Sequence, residues 1–297
     1  MKVKVGGKDA TKTIGSPSWN TDDESNGQEM SFQSVTLFDI GSQVKVTDGG
    51  KVRFLGTIVS VEENIRPPHS YKAIDYSMNL KSDALIQFKN LEADKAITTL
   101  LGQSGIDCKV CAIPTKITKI YKDTIIGIIK DILQIAESDQ GKSYFFEVDG
   151  TTVNVEEKKK IKISPTFLVS DESAISRSIE ELKNEVQVVK DNAVLATASD
   201  SGSISKLGTL RAIEETEESA AKAQAIAKQK LDSMNRGKNT KQMTLLVTKG
   251  YWDIKKNRLI KIKGGGLNGW YRIQSATHSM DGDLHKVDIE VSWDAKL

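Results

Sequence analysis

The sequence predicts an α+β fold, mainly β, in which two similar β-barrel units are separated by a small α+β insert. Three observations carry this. Leu284–Trp293 alternates Val287, Ile289, Val291 and Trp293 with Lys286, Asp288, Glu290 and Ser292, the period of a strand with one wet face. Upstream, Leu259–Lys263 alternates as well, and a glycine-rich turn, Gly264–Gly269, leads into Trp270–His278; the same order occurs near the N-terminus as Val44–Val46, the turn Asp48–Gly50, and Val52–Val61. Laying Ile58–Val61 on Ile273–Ala276 gives short strand, glycine turn, longer strand and third strand in both copies, the third being weaker in the first copy, where Ser70–Met78 alternates poorly. Two like β units about two hundred residues apart indicate a duplicated barrel rather than one large domain. The third observation is the change of pattern between them, where helical spacing and a hairpin signal replace the alternation.

Taken in order, residues 1–102 form the first unit. A short strand at Met1–Val5 is followed by a polar loop through Ser16–Asn20 and Thr21–Gly27. The β unit proper runs from about Gln28 to Gln87, and a helix over Glu92–Leu101 closes it at Gly102. Residues 103–165 form the insert. Asp123 is placed to cap a helix whose Ile125, Ile128, Ile129, Ile132, Leu133 and Ile135 make a broad apolar face, and Tyr144–Val148 and Thr152–Val155 flank the turn signal Asp149-Gly150. The charged run Glu156–Lys160 and Ile161–Pro165 return the chain to the second unit, 166–297. Leu182–Val189 is its first clear strand, and Glu214–Asn235 reads as an alanine-rich helix with Ala220, Ala223, Ala227, Leu231 and Met234 on one stripe, suited to packing on a barrel face.

Composition bounds the class. Of 297 residues, 38% are hydrophobic and 28% charged, as in an ordinary globular protein, and the net charge of +2 gives no field to recruit nucleic acid. Met1–Val5 turns to Gly6 and Gly7 before any apolar run develops, which argues against a secretory leader, and Thr124–Ala136 is too short and too charged to span a bilayer. The expectation is synthesis and assembly in the bacterial cytosol, with no membrane anchor. Two cysteines provide no disulfide framework.

Several motifs have a chemical reading beside a plain structural one. Gly264–Gly269 has the letters of a dinucleotide fingerprint but leads into a strand rather than a helix, so it reads as a hairpin loop. Cys108 and Cys111 have redox or zinc spacing, yet His69, His278 and His285 are scattered and no second cysteine pair exists. His278 and His285, near Ser279, Asp281 and Asp283, flank a turn without a nucleophile elbow. No catalytic, cofactor or metal site is expected. Lys45, Lys261 and Lys263 stand out, since alternation sets Lys261 and Lys263 opposite Ile260 and Ile262; they are candidates for lining a channel or meeting a partner.

The order of these elements resembles a known family. Trp19 in its polar loop, Val44–Val46 followed by Phe54–Ile58, Ser176–Val188, Leu207-Gly208, the alanine-rich helix and Gly269–His278 together resemble the PBSX-type tail hub proteins, relatives of phage late control protein D and of the baseplate hubs of contractile tails and tailocins. The resemblance covers nearly the whole chain. It implies two tube-type β-barrel domains and a homotrimer, whose six similar units dock a six-fold tail tube on one side and offer three-fold symmetry to a spike on the other, around an axial channel. Tail tube, spike, other baseplate proteins and the tape measure are the implied partners, in a phage or a phage-tail-like bacteriocin. Some hubs carry fused cell-wall hydrolases, an activity not carried over because two barrels and the insert account for the chain. Two other classes compete with it: a cell-wall-binding or hydrolase-associated tail protein, motivated by the helix-plus-hairpin insert, and a barrel binding single-stranded nucleic acid, disfavoured by 6% aromatic content and near-neutral charge.

Overall fold

The computed structural model describes residues 1–295 except 22–26, 159–160, 217–219, 248–250 and 283. It is mostly β, and it divides into two compact units, Met1–Ser173 with Gln242–Val291, and Ala174–Lys241 with Ser292–Leu297.

The first unit opens with β1 (Lys2–Val5), β2 (Lys8–Asp9), β3 (Ile14–Thr21) and β4 (Gln28–Ser34), followed by the meander β5 (Gln43–Asp48), β6 (Lys51–Glu62) and β7 (His69–Asp75). Alternation sends Val44, Val46, Phe54, Ile58, Tyr71 and Ala73 into one core with Met30 and Phe32, each large side chain contributing roughly 1.5–3 kcal/mol by leaving water. Ser16–Asn20 is not a loop. It belongs to β3, in register with β4 (Trp19 opposite Met30), and Pro17 and Trp19 point inward while Asn20 sits at the half-wet side. The rest of the predicted polar loop, 22–26, lies outside the described residues.

A 3-10 turn at Tyr76–Lys81 leads to β8 (Asp83–Glu92), α1 (Ala93–Gln103), β9 (Asp107–Val110), β10 (Lys116–Thr124), α2 (Ile125–Gln140), β11 (Tyr144–Asp149) and β12 (Thr152–Glu157). Of the predicted apolar face of α2, Ile125, Ile128, Ile129, Ile132 and Leu133 are buried together with Ile97, Leu100 and Leu101 of α1, while Ile135 is half-buried against this core. Thus α1, expected to close the first β unit, shares its core with the insert. The helix start differs from expectation by one residue. Thr124 is the cap, its Oγ1 accepting from Gly127 N at 3.1 Å, while Asp123 accepts from Thr124 N at 2.6 Å. Strands β11 and β12 form the predicted hairpin, turned by Gly150 at φ 63°. Cys108 and Cys111 are both free and half-buried at β9, where Cys108 lies opposite Val153.

After β13 (Lys162–Ile163) and β14 (Phe167–Glu172), the chain builds the second unit from β15 (Ser176–Ser178), β16 (Glu185–Lys190), β17 (Ala193–Ser199), α3 (Ser201–Leu207), β18 (Arg211–Glu215) and α4 (Ala220–Met234). Glu214 and Glu215 end a strand rather than begin the helix: β18 pairs in parallel with β16, whose other neighbour is β17. The alanine stripe of α4, Ala223 and Ala227 with Ile226, packs on Val188, Ala196 and Ala198 of this small sheet. Its small side chains let helix and sheet approach closely, which is the packing predicted, on a different sheet from the one expected. Leu182 is buried but precedes the strand.

The chain then runs through β19 (Gly237–Val247), β20 (Leu259–Gly264), β21 (Leu267–Asp281) and β22 (Leu284–Ala295). The strand order is β14-β19-β22-β21-β3-β4-β7-β6-β5-β1-β2, with β20 also on β21 and β13 on β20. Read as two runs, β3-β4-β7-β6-β5 is matched strand for strand by β14-β19-β22-β21-β20. The registers match too. Thr57 faces Gln43 as Arg272 faces Leu259, Leu55 faces Lys45 as Trp270 faces Lys261, and Phe54 faces Val46 as Gly269 faces Ile262. Ile58 N donates to Ser42 O at 2.9 Å, and Ile273 N to Arg258 O at 2.9 Å. The sequence pairing of Ile58 with Ile273 is therefore also the structural one.

Two separate closed barrels are not seen: among the described residues the strands of the two repeats run as a single open path, joined where β21 pairs with β3. The cause is the length of β21, 15 residues, whose first part pairs with β20 and whose later part, Ala276–Ser279, remains available to Ser18–Thr21.

Candidate assembly face

The junction of the repeats is built around a buried cluster. In β3, alternation turns Trp19 inward, 3% exposed and opposite His278. Its indole stacks on Trp252 (centroids 5.1 Å apart, planes at 18°) and on His278 (5.4 Å, 4°). Trp252 comes from the connection before β20. It donates from Nε1 to Asp48 Oδ2 at 2.9 Å, and Arg53 lies over its ring at 5.6 Å. The same Asp48 pairs with the N-terminal amine at 3.4 Å, and these contacts, the Trp252 bond foremost, hold its carboxyl below the usual range.

His278 and His285 meet within this cluster, Nδ1 to Nε2 at 2.8 Å, with His278 Nε2 at 2.7 Å from the carbonyl of Ile254. A carbonyl only accepts, so His278 carries its proton on Nε2 and its Nδ1 accepts from His285 Nε2–H. Burial drives His278 down to about 3 and lowers His285 as well. With their facing nitrogens engaged in this chain, the two imidazoles act as a neutral structural clasp between β21, β22 and the Ile254 segment. Of the residues flanking the pair, Ser279 and Asp281 belong to β21, and Asp283 lies outside the described residues. Among the described residues no group of three or more potential metal ligands is brought together.

The predicted lysines lie on the solvent side of the sheet. Lys261 and Lys263 are exposed, with Ile260 and Ile262 fully buried behind them, and Lys45 is half-exposed between buried Val44 and Val46. The matched registers make Lys45 and Lys261 equivalent, while Lys263 answers to Thr47. Sequence reading did not foresee the acidic groove on the same side of β14, β19, β22 and β21, about 400 Å³, where Asp171, Asp288 and Glu290 stand among Ser and Thr hydroxyls and Thr244 donates to Asp288. It also missed Trp252, a lone aromatic in a lysine-rich stretch with no periodicity around it.

The fold is similar to that of solved phage tail proteins. The chain superposes on the 43 kDa tail protein of prophage MuSo2 from Shewanella oneidensis with a TM-score of 0.70 at 15% identity, covering 98% of this chain and 97% of that one. It superposes on a tail protein from Neisseria meningitidis MC58 with 0.73 at 14% identity, covering 98% and 95%. A third likeness, 0.55 at 9% identity over 100% and 77%, is to the E. coli c3393 protein, a component of the type VI secretion system with structural similarity to the T4 bacteriophage tail proteins gp27 and gp5. At these identities the likeness is one of fold. The model of the YQBQ-like family matches residues 17–292, and the chain belongs to that family. No curated protein sequence matches it significantly. No helix among the described residues is long and apolar enough to cross a membrane.

Proposed function

We propose that the chain is a non-enzymatic structural hub of a contractile phage tail or phage-tail-like bacteriocin baseplate, made in the bacterial cytoplasm and assembled into the particle. It acts as a homotrimer that adapts the six-fold tail tube to the three-fold spike around an axial channel. The observation that supports this reading is the duplication: one chain holds the same five-strand run twice, with the same register, so three chains offer six like units. In the assembled ring the repeats serve as tube-type β-barrels, 1–102 and 166–297, with 103–165 as a small α+β insert between them. Lys45 and Lys261, equivalent in the two repeats, then recur six times around the ring, and Lys263 three times, facing the channel or the tube. Rigid assembly is the whole mechanism: sheets fixed by the Trp19–Trp252 junction transmit position from tube to spike. The partners are the tail tube protein, the spike, other baseplate proteins and the tape measure.

The test is electron microscopy of particles carrying a tagged copy of the chain. The expected result is the tag in three copies at the tube–spike junction. A tag absent from the particle, or repeated along the tube, overturns the reading.

A further inference from the structure

Both repeats carry the same arrangement on their solvent side, a lysine opposite an apolar side chain with a second lysine beside them. In the first repeat one cross-strand row joins Lys4 of β1, Lys45 of β5 and Leu55 of β6. In the second, Lys261 of β20 faces Trp270 of β21, and Lys162 of β13 holds its Nζ 5.1 Å from the centroid of the Trp270 ring. The outer strands that supply the second lysine are built differently: β1 runs antiparallel to β5, and β13 parallel to β20. Two unlike edges thus bring an ammonium to the same place, a recurrence that strand pairing does not require.

The arrangement works against the fold's own electrostatics. Lys4 and Lys45 stand directly opposite each other, a like-charge pair that weakens a sheet. Asp9, across from Lys4 on its other side, is the one carboxylate in that row. Around Lys261 the positive charge is denser. Lys263 lies two residues on, opposite Asn268, and Lys162 and Arg272 flank Leu259 from either side. Across β13, β20 and β21 no carboxylate stands opposite any of these four cations, and all four are exposed, with Trp270 38% exposed in their midst. An apolar centre with a polar rim is the anatomy of a protein interface. A nucleic-acid strand needs free aromatic faces for its bases. Lys162 already lies over the Trp270 ring, and Leu55, which is not aromatic, fills the equivalent place in the first repeat.

We propose that each repeat binds an acidic protein surface through this face, centred on Lys45 and Leu55 in one and on Lys261 and Trp270 in the other, so that one chain takes two copies of the same partner. Charge and spacing set the partner's chemistry. Carboxylates at every second residue of an extended strand recur at ~6.6–6.8 Å, the step that also separates Lys261 from Lys263. This deepens the hub reading, on which the partner's being a repeating part of the particle rests.

Titration calorimetry of the full chain tests it, using a short peptide that alternates glutamate and threonine, with an oligothymidylate of equal length to present phosphates instead of carboxylates. The wild type is expected to take two peptides per chain at low salt and to lose affinity as salt rises. Lys45→Glu and Lys261→Glu are each expected to leave one peptide bound, and the double variant none. Circular dichroism melting checks that these solvent-side changes leave the fold intact; if a reversed charge unfolds the chain, Lys45→Gln and Lys261→Gln read the same loss. No peptide bound, a number other than two, variants that bind like the wild type, or tighter binding of the oligothymidylate overturns the proposal. Tagged chains keep it apart from the hub reading. A wild type that enters particles yet takes no peptide ends the acidic contact alone, and one that takes two peptides yet is absent from particles ends the hub reading alone.

Discussion

Gly41 and Asn257 occupy the same place in the two repeats: each has a left-handed backbone, φ 87° and 63°, and each N–H donates to the carbonyl of an equivalent isoleucine, Ile58 at 2.8 Å and Ile273 at 3.3 Å. Left-handed φ is open to glycine and tolerable for asparagine, which is why those two residues appear. A Cβ at Gly41 would meet no atom within 4 Å, so the cost of substitution there is backbone strain alone. Gly41→Asn is expected to cost under about 1 kcal/mol and Gly41→Val about 1–2 kcal/mol. Asn257→Gly should be close to neutral. Urea unfolding of the three variants checks the order; a harmless Gly41→Val would remove the strain argument.

The histidine clasp makes stability fall in acid. Both imidazoles are held below 6.5 in the fold, His278 at about 3, so between those values the unfolded chain binds more protons than the folded one. Stability is therefore full above about pH 7 and is lost as pH drops through 6 toward 4, by about 1.4 kcal/mol per pH unit for each proton taken up on unfolding. Asp75, buried and raised, works in the opposite sense and flattens the curve at the acid end. His285→Gln removes one titrating group, so its slope should be about half that of the wild type in denaturant melts taken across this range. Equal slopes would show that the clasp does not carry the pH dependence.

How much of this was legible in the residues follows from how local each signal is. Val287, Ile289 and Val291 alternate in an uninterrupted strand, and the isoleucines of α2 repeat at helical spacing, so both elements declare themselves. The duplication was legible because short strand, glycine turn and longer strand recur in the same order, which lays Ile58 on Ile273, even though a bulge adds one residue to the first copy. Strand β3 was not, because Ser16, Pro17, Ser18 and Asn20 have turn chemistry and only tertiary pairing with β4 and β21 makes them extended. Glu214 and Glu215 resembled the acidic first turn of α4 for a similar reason: charge marks a helix start, while the parallel partner β16 lies far off in sequence. The joining of two repeats into one sheet depends on the reach of β21 past β20, and no local pattern records that.

A buried polar residue holds the second unit together. Asn184 is fully buried; its Oδ1 accepts from Leu210 N at 2.7 Å and its Nδ2 donates to Gly208 O at 2.8 Å, fixing the turn between α3 and β18. Asn184→Ala strands a donor and an acceptor at a cost of about 2–4 kcal/mol. Hydrogen exchange is expected to show the loss across 184–236 while the β5–β6 amides keep their protection. Uniform loss would mean the two compact units unfold together.

The pair Glu147–Arg258 ties β11 of the insert to the connection before β20. Arg258 Nη2 reaches both carboxylate oxygens at 3.1 Å and its side chain is 8% exposed, against 29% for Glu147. Removing the carboxylate leaves a buried cation with Lys255 nearby, so Glu147→Ala should cost about 2–3 kcal/mol, below the range for a fully buried pair because Glu147 is partly wet. Replacing both residues, Glu147→Leu with Arg258→Met, should recover most of that loss. A double variant as unstable as the single one would show that geometry, and not the orphaned charge, sets the cost.

Trp252 is the sharpest single test of the junction, because it makes two separable contacts. Its ring stacks on Trp19, and its Nε1–H is the largest influence holding the Asp48 carboxyl low. Trp252→Phe keeps a ring against Trp19 and deletes the donor, so the expected loss is about 1–2 kcal/mol, with the Asp48 carboxyl moving back up toward its ordinary value. Trp252→Ala also opens a void beside Trp19 and the histidine clasp, raising the loss to about 2–4 kcal/mol for this half-buried side chain. Carbon-detected NMR titration of Asp48 reads the first effect and thermal melting the second. An unmoved Asp48 in the phenylalanine variant would mean that the N-terminal amine and Arg53, not the indole, set its charge, and the junction would then rest on stacking alone.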